Sequence, residues 1–160
     1  MHGLRPALLA LVLGLACAAP ARADLTVFIG ANTTPANRSV RGASYGGGLL
    51  VVGWEFEYAD TTDNATIGAP SLRTGSGNLL LQLPVPIFGF QPYFTTGGGF
   101  YRETLANQSD TSFAPNIGGG VKISLVGPLR LRVDYRSFRL GGGALYSPAH
   151  RIYAGVNLGF

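Results

Sequence analysis

Glu55 and Glu57, one position apart, and Arg130, Arg132, Asp134 and Arg136, at every second position, are the densest ionisable groupings in a 160-residue chain that is only 12% charged. Two carboxylates on one face are the equipment of general acid–base chemistry, glycoside hydrolysis included. Arginines at the same period argue for a different use. Charges held away from water must find partners, and two complementary sets at period two are placed to meet across a narrow interior. The expectation is an interior ion-pair network of Glu55, Glu57, Arg102, Lys122, Arg130, Arg132, Asp134 and Arg136, with no catalytic residue among them. His150, with Ser147 three positions before it, is the one remaining hydrolytic candidate. Both lie at the end of a polar stretch, where a solvated loop histidine is the commoner role. Cys17 and His2 fall in the first 23 residues, so the remainder has no cysteine and a single histidine. That excludes disulfide frameworks, cysteine nucleophiles and His/Cys zinc sites, and no cofactor or metal is expected.

The elements that must position these groups are strands. Trp54, Phe56 and Tyr58 alternate with Glu55 and Glu57, and Leu129, Leu131, Val133 and Tyr135 alternate with the Arg130–Arg136 charges. In the last ten residues Ile152, Ala154, Val156, Leu158 and Phe160 alternate with Tyr153, Gly155, Asn157 and Gly159. Period two marks strands with one apolar side, and no stretch repeats apolar residues at helical spacing. Turn residues divide the chain into eight strands near 25–31, 42–50, 52–60, 72–83, 91–102, 113–125, 128–138 and 150–160. Long connections are expected at 32–41, 60–72, 103–112 and 140–149, and short ones near Val51, at 84–89 and at 127–128. Long-short alternation is the mark of an up-and-down meander whose two ends face different surroundings. The turn near Val51 is retained because an antiparallel barrel that closes on its first strand needs an even number of strands.

Residues 1–23 read as an export signal: Arg5, an apolar run from Ala7 to Ala19, then Ala21-Arg22-Ala23 with small residues where a signal peptidase reads. Cleavage is expected before Asp24, leaving one domain, 24–160. The apolar run is too short for a transmembrane helix. Leu15-Ala16-Cys17 offers a lipoprotein alternative, though Gly14 replaces the usual leucine. Loss of Arg5 and Arg22 with the signal lowers the formal charge from +4 to +2, so no nucleic-acid partner is expected.

The two faces of the strands point to a membrane. Asn78–Leu83, 117–125 and the last strand carry bulky apolar residues on one side and Gly, Asn, Gln, Ser and Tyr on the other, which suits a lipid-facing exterior and a crowded interior in a closed ladder. Gly-Gly-Gly recurs at 46–48, 97–99, 118–120 and 141–143; within strands such runs allow bends and close approach, and none has the spacing of a dinucleotide-binding loop. With Gly53-Trp54-Glu55-Phe56-Glu57-Tyr58, Gln91-Pro92-Tyr93-Phe94, Asn116-Ile117-Gly118-Gly119-Gly120-Val121-Lys122 and Leu131-Arg132-Val133-Asp134-Tyr135-Arg136, the chain resembles the small eight-stranded outer-membrane β-barrels of bacteria, the OmpX-like group, over Asp24–Phe160. The resemblance implies an all-β, eight-stranded antiparallel up-and-down transmembrane barrel in the cell outer membrane. It also implies an assembly signal in the last strand, carried by Tyr153, Val156, Leu158 and Phe160 and read by the barrel-assembly machinery. Partners would then be outer-membrane lipid and that machinery, the protein a monomer.

Three rival functions follow from the same residues. A soluble lipocalin-like barrel binding an apolar ligand would reverse the faces, and Gly53-Trp54 lacks the intervening residue of the lipocalin Gly-x-Trp signature. A lipid-acting barrel enzyme would rest on His150 and Ser147, but barrel-borne lipid A deacylases, which this chain resembles in size, carry His-x-Ser on a strand. A narrow pore is opposed by the bulky, charged inward residues. Asn32, Asn37, Asn64 and Asn107 open glycosylation-like triplets, which loop composition alone accounts for. The expected function is therefore structural or surface-interactive, through the polar loops.

Overall fold

The computed structural model describes residues 22–160; the expected export signal and Cys17 lie outside the described residues, apart from Arg22 and Ala23 at its end. Eight strands follow in chain order: β1 (Arg22–Asn32), β2 (Arg38–Leu49), β3 (Val52–Thr61), β4 (Ser71–Gln82), β5 (Phe90–Leu105), β6 (Gln108–Val126), β7 (Leu129–Phe138) and β8 (Ala149–Gly159). Each pairs antiparallel with the next, and β8 closes on β1 to give a barrel without a free edge. The turn at Val51 is present: Leu50 takes a positive φ of 55° in the two-residue link between β2 and β3. β1 starts at Arg22, two residues ahead of the expected cleavage point, with Arg22 opposite Gly48 and Ala23 opposite Gly47.

Three expectations about connections are corrected. The stretch 103–112 is not a long loop, because β5 and β6 run on as a hairpin to Leu105 and Gln108 around Ala106-Asn107. Its Thr, Ser and Gln residues can pair in a ladder even where a strand has left the apolar zone. The segment 32–41 likewise shrinks to 33–37, whereas the connection expected to be short at 84–89 spans the seven residues 83–89. The loop end of the barrel is thus formed by 33–37, 62–70, the β5–β6 tip and 139–148, the turn end by 50–51, 83–89 and 127–128.

One register row can be followed around the whole barrel. It passes from Arg102 through Arg73, Asp60, Arg41, Ile29, Ala154, Val133 and Val121, and returns to β5 at Pro92, ten residues from its start. Eight strands with a stagger of ten tilt by about 40° to the barrel axis, and an interior this narrow is filled by side chains. Period two holds along the strands, apart from a bulge between Ser124 and Val126 at the turn end of β6. Leu25, Val27, Ile29, Trp54, Phe56, Leu79, Leu81, Phe94, Ile117, Val156 and Leu158 are exposed on the outside, while Thr26, Ser44, Glu55, Glu57, Asn78, Thr95, Asn116, Arg132, Asp134, Arg136 and Asn157 are buried within. Tyr45, Trp54 and Phe56 pack edge to face on the outer surface, at centroid separations of 5.7 and 5.6 Å.

Candidate functional site

Antiparallel closure places β3 opposite β7, so the glutamates of one strand reach the arginines of the other across the axis. Arg132 pairs with Glu55 and, at 3.2 Å, with Asp134. Arg136 donates to Glu55 at 2.6 Å, to Asp134 at 3.0 Å and to Glu57 at 3.2 Å. Arg151 completes the cluster by pairing with Glu57 and donating to Thr74 Oγ1 at 3.2 Å. Three carboxylates thus face three guanidiniums and the middle of the barrel is electrically neutral. Two tyrosines bind into it. Tyr93 donates to Asp134 and accepts from Arg132 Nε at 2.7 Å, while Tyr153 donates to Glu57 at 3.3 Å. The guanidinium of Arg132 lies over the Tyr93 ring at 4.8 Å. Asn78 satisfies both neighbours when its oxygen faces Arg136 Nη1 at 2.9 Å and its nitrogen faces Asn116 Oδ1 at 3.1 Å. Gly120 is required here, since a Cβ would come within 2.5 Å of the Tyr93 hydroxyl as that ring crosses toward β7.

Not all the expected members join this cluster. Arg102 does not: it is exposed on the outer face of β5, because Tyr101 and Glu103 take the inward positions and parity sends Arg102 out. Lys122 and Arg130 face inward but lie nearer the turn end, where both meet Asp24, Arg130 at 3.6 Å. Asp24, Arg151, Tyr93 and Tyr153 were missing from the expectation. Arg151, Tyr93 and Tyr153 lie on the inward parity of their strands, a signal available in the sequence; Asp24 lies just ahead of the expected first strand, 25–31, and so carries no expected face.

Toward the loop end the interior turns apolar. Leu72, Tyr101, Ala114, Phe138, Leu140 and Ala149 form one buried cluster. Above it, inward strand side chains staple the loops: Arg38 donates to the carbonyls of Thr34, at 2.6 Å, and Pro70, and Glu103 accepts the Leu145 N–H at 2.8 Å. Burial pushes the Glu103 carboxyl above the usual carboxylate range, and the Leu145 N–H and the Arg38 guanidinium offset this only in part.

Ser147 and His150 are not brought together as a nucleophile and base. The Ser147 hydroxyl is bonded to the Leu140 backbone, accepting from its N–H at 3.0 Å and donating to its carbonyl at 3.2 Å. His150 Nδ1 lies 2.7 Å from the Tyr135 hydroxyl, with the two rings stacked on the outer surface. Among the described residues no group of three metal-ligating side chains converges. In the last strand Val156, Leu158 and Phe160 face outward, whereas Tyr153 faces inward, its ring stacked on Phe28 at 3.9 Å.

No protein-family model and no curated protein matches the sequence. Solved structures do. The chain is similar to the N-terminal β-barrel domain of Pseudomonas aeruginosa OprF, at 17% identity over 87% of this chain and 97% of that one, with a TM-score of 0.67. It is similar to Neisserial surface protein A, at 15% identity over 88% and 96% of the two chains, with a TM-score of 0.64. The outer membrane protein Ail of Yersinia pestis matches at 10% identity over 88% of this chain and all of that one (100%), with a TM-score of 0.54. Eight antiparallel strands that close on themselves are the fold of the small outer-membrane β-barrels, and this chain has that fold.

Proposed function

We propose that the exported chain is a resident barrel of a bacterial outer membrane, monomeric and non-catalytic, whose work is structural or is done by its outer surface and loop end. The observation that carries this reading is the inversion of the faces. An apolar band on the exterior surrounds an interior of ion pairs, the reverse of a soluble barrel that would hold an apolar ligand, and a closed ladder leaves no backbone group unpaired in hydrocarbon. The neutral core of three acids and three arginines, packed with Tyr93 and Tyr153, supports a plugged barrel over a pore. The separation of Ser147 from His150 supports a non-enzymatic role. The outward Val156, Leu158 and Phe160 are the surface that the barrel-assembly machinery would read.

The test is membrane fractionation of the expressed chain, followed by comparison of heated and unheated samples on a denaturing gel. The protein is expected in the outer-membrane fraction and to migrate differently before and after boiling. Recovery as a soluble periplasmic species with no heat-dependent shift refutes the proposal.

A further inference from the structure

Among the described strand side chains, four charges point outward, Arg41, Asp60, Arg73 and Arg102, and all four stand on one register row across β2, β3, β4 and β5. Random placement would scatter them. The row extends about 14 Å across four strands and carries three guanidiniums against one carboxylate. Asp60 serves two of them, Arg73 at 3.0 Å and Arg41 at 3.8 Å, while Arg102 is in no ion pair among the described residues. The Arg41 and Arg73 side chains are 81% and 63% exposed. The row lies on the loop side of the apolar band: toward the turn end the next outward residues are Gly75, Gly77, Leu79 and Leu81 on β4 and Phe100, Gly98, Thr96 and Phe94 on β5.

Two apolar grooves adjoin the row. One of about 820 Å³, over Ile29, Ala31, Ile152 and Ala154, continues the row beyond Arg41 and Asp60 and opens toward the loop end at Ser39 and Thr62. The other, about 630 Å³, lies over Gly75 and Gly98 between Phe56, Tyr58, Phe100 and Phe113, one outward position below Arg73 and Arg102. Three arginines against one carboxylate at the edge of hydrocarbon, with an acyl-sized groove beneath Arg73 and Arg102, match an acylated amphiphile whose headgroup is anionic. We propose that this face holds a phosphorylated, multiply acylated glycolipid of the outer leaflet, with its phosphates on Arg73, Arg102 and Arg41 and an acyl chain in the groove beneath Arg73 and Arg102. The proposal rests on the outer-membrane reading with the loop end outward. Guanidinium forks suit phosphate oxygens, since they bind in pairs with fixed geometry. A second copy of the chain is a poor occupant, because a two-fold contact would set the same net-positive row against itself.

Native mass spectrometry of the mature barrel, refolded in neutral detergent and titrated with hexa-acylated diphosphoryl lipid A, tests the proposal. Dephosphorylated lipid A and dioleoyl phosphatidylglycerol are the comparison lipids. Arg73→Gln/Arg102→Gln is expected to weaken diphosphoryl lipid A binding about 25-fold, at roughly fivefold per arginine near a charged lipid surface. Gly75→Leu, where a Cβ meets nothing within 4 Å, is expected to fill the second groove and weaken binding without disturbing the barrel. Either variant binding as the parent does, or phosphatidylglycerol binding as tightly as diphosphoryl lipid A, overturns the proposal. The heat-dependent gel shift of the same samples separates this from failure of the underlying reading: a parent protein without a shift refutes the membrane barrel itself, whereas folded variants with unchanged lipid binding refute only the lipid site.

Discussion

Replacing Arg136 by methionine keeps most of the side-chain stem and removes the charge that three acids share. Its partners are Glu55 at 2.6 Å, Asp134 at 3.0 Å and Glu57 at 3.2 Å, all buried. The central cluster then holds three carboxylates against Arg132 and Arg151, a net charge of −1 in a confined interior. Leaving a buried charge uncompensated costs about 3–5 kcal/mol, and Arg136→Met is expected to destabilise the barrel by that amount. Glu57→Gln alone leaves the opposite excess and is destabilising in its turn. In the double variant the cluster is neutral again, and the amide that replaces the Glu57 carboxylate retains an oxygen for Arg151 and Tyr153. Its cost is therefore expected to fall short of the sum of the single costs by about 1–3 kcal/mol. Trp54, the one tryptophan, faces outward on β3, so its fluorescence in lipid vesicles follows insertion during a urea titration. A coupling below about 0.5 kcal/mol means that each charge is solvated independently, and the filled, neutral core is then wrong.

Leu79→Arg, on the exposed outer face of β4, is expected to cost about 2–4 kcal/mol near mid-membrane; a neutral result in bilayer urea titrations inverts the assignment of faces. Deleting Phe160 is expected to lower the yield of heat-shifting barrel in the membrane fraction, and unchanged yield removes that residue from the assembly signal. The upward shift of the Glu103 carboxyl gives a pH dependence. Because the neutral form is favoured in the folded state, this group's contribution is fully present below about pH 4, the unfolded carboxyl range, and is lost as pH rises through the folded value. Glu103→Gln, which keeps an acceptor for the Leu145 N–H, is expected to flatten that part of the stability–pH curve measured by denaturant titration. An unchanged curve refutes the assignment to Glu103.

Period two carried most of the architecture in the sequence, because each strand separates lipid from a packed interior and every second residue must declare its side. That made Glu55, Glu57, Arg132, Asp134 and Arg136 recognisable as inward groups. Arg102 was misassigned because charge complementarity was weighed over parity: Phe100 and Arg102 share a face, and Phe100 is plainly outward. The β5–β6 extension was hidden for a different reason. Beyond the apolar zone both faces of a ladder are polar, so the alternation that signals a strand fades although the hydrogen bonds continue. Which arginine meets which acid was not readable at all, since the pairing depends on a ten-residue stagger set by the whole circuit of strands.

That stagger has a consequence of a topological kind. A wall that alternates between two sides can be joined into a closed surface only if the circuit returns to its start on the same side, and a displacement of ten, being even, meets this condition. An odd displacement would make the wall one-sided in the manner of a Möbius band, with the lipid surface passing continuously into the interior. Insertions or deletions within a strand are therefore quantised. A single residue turns part of the sheet inside out or forces a bulge, of the kind already present between Ser124 and Val126 near the turn end, whereas two residues change only the tilt. Variation in the length of such a barrel is confined to even steps in its wall, and is free only in the connections at either end.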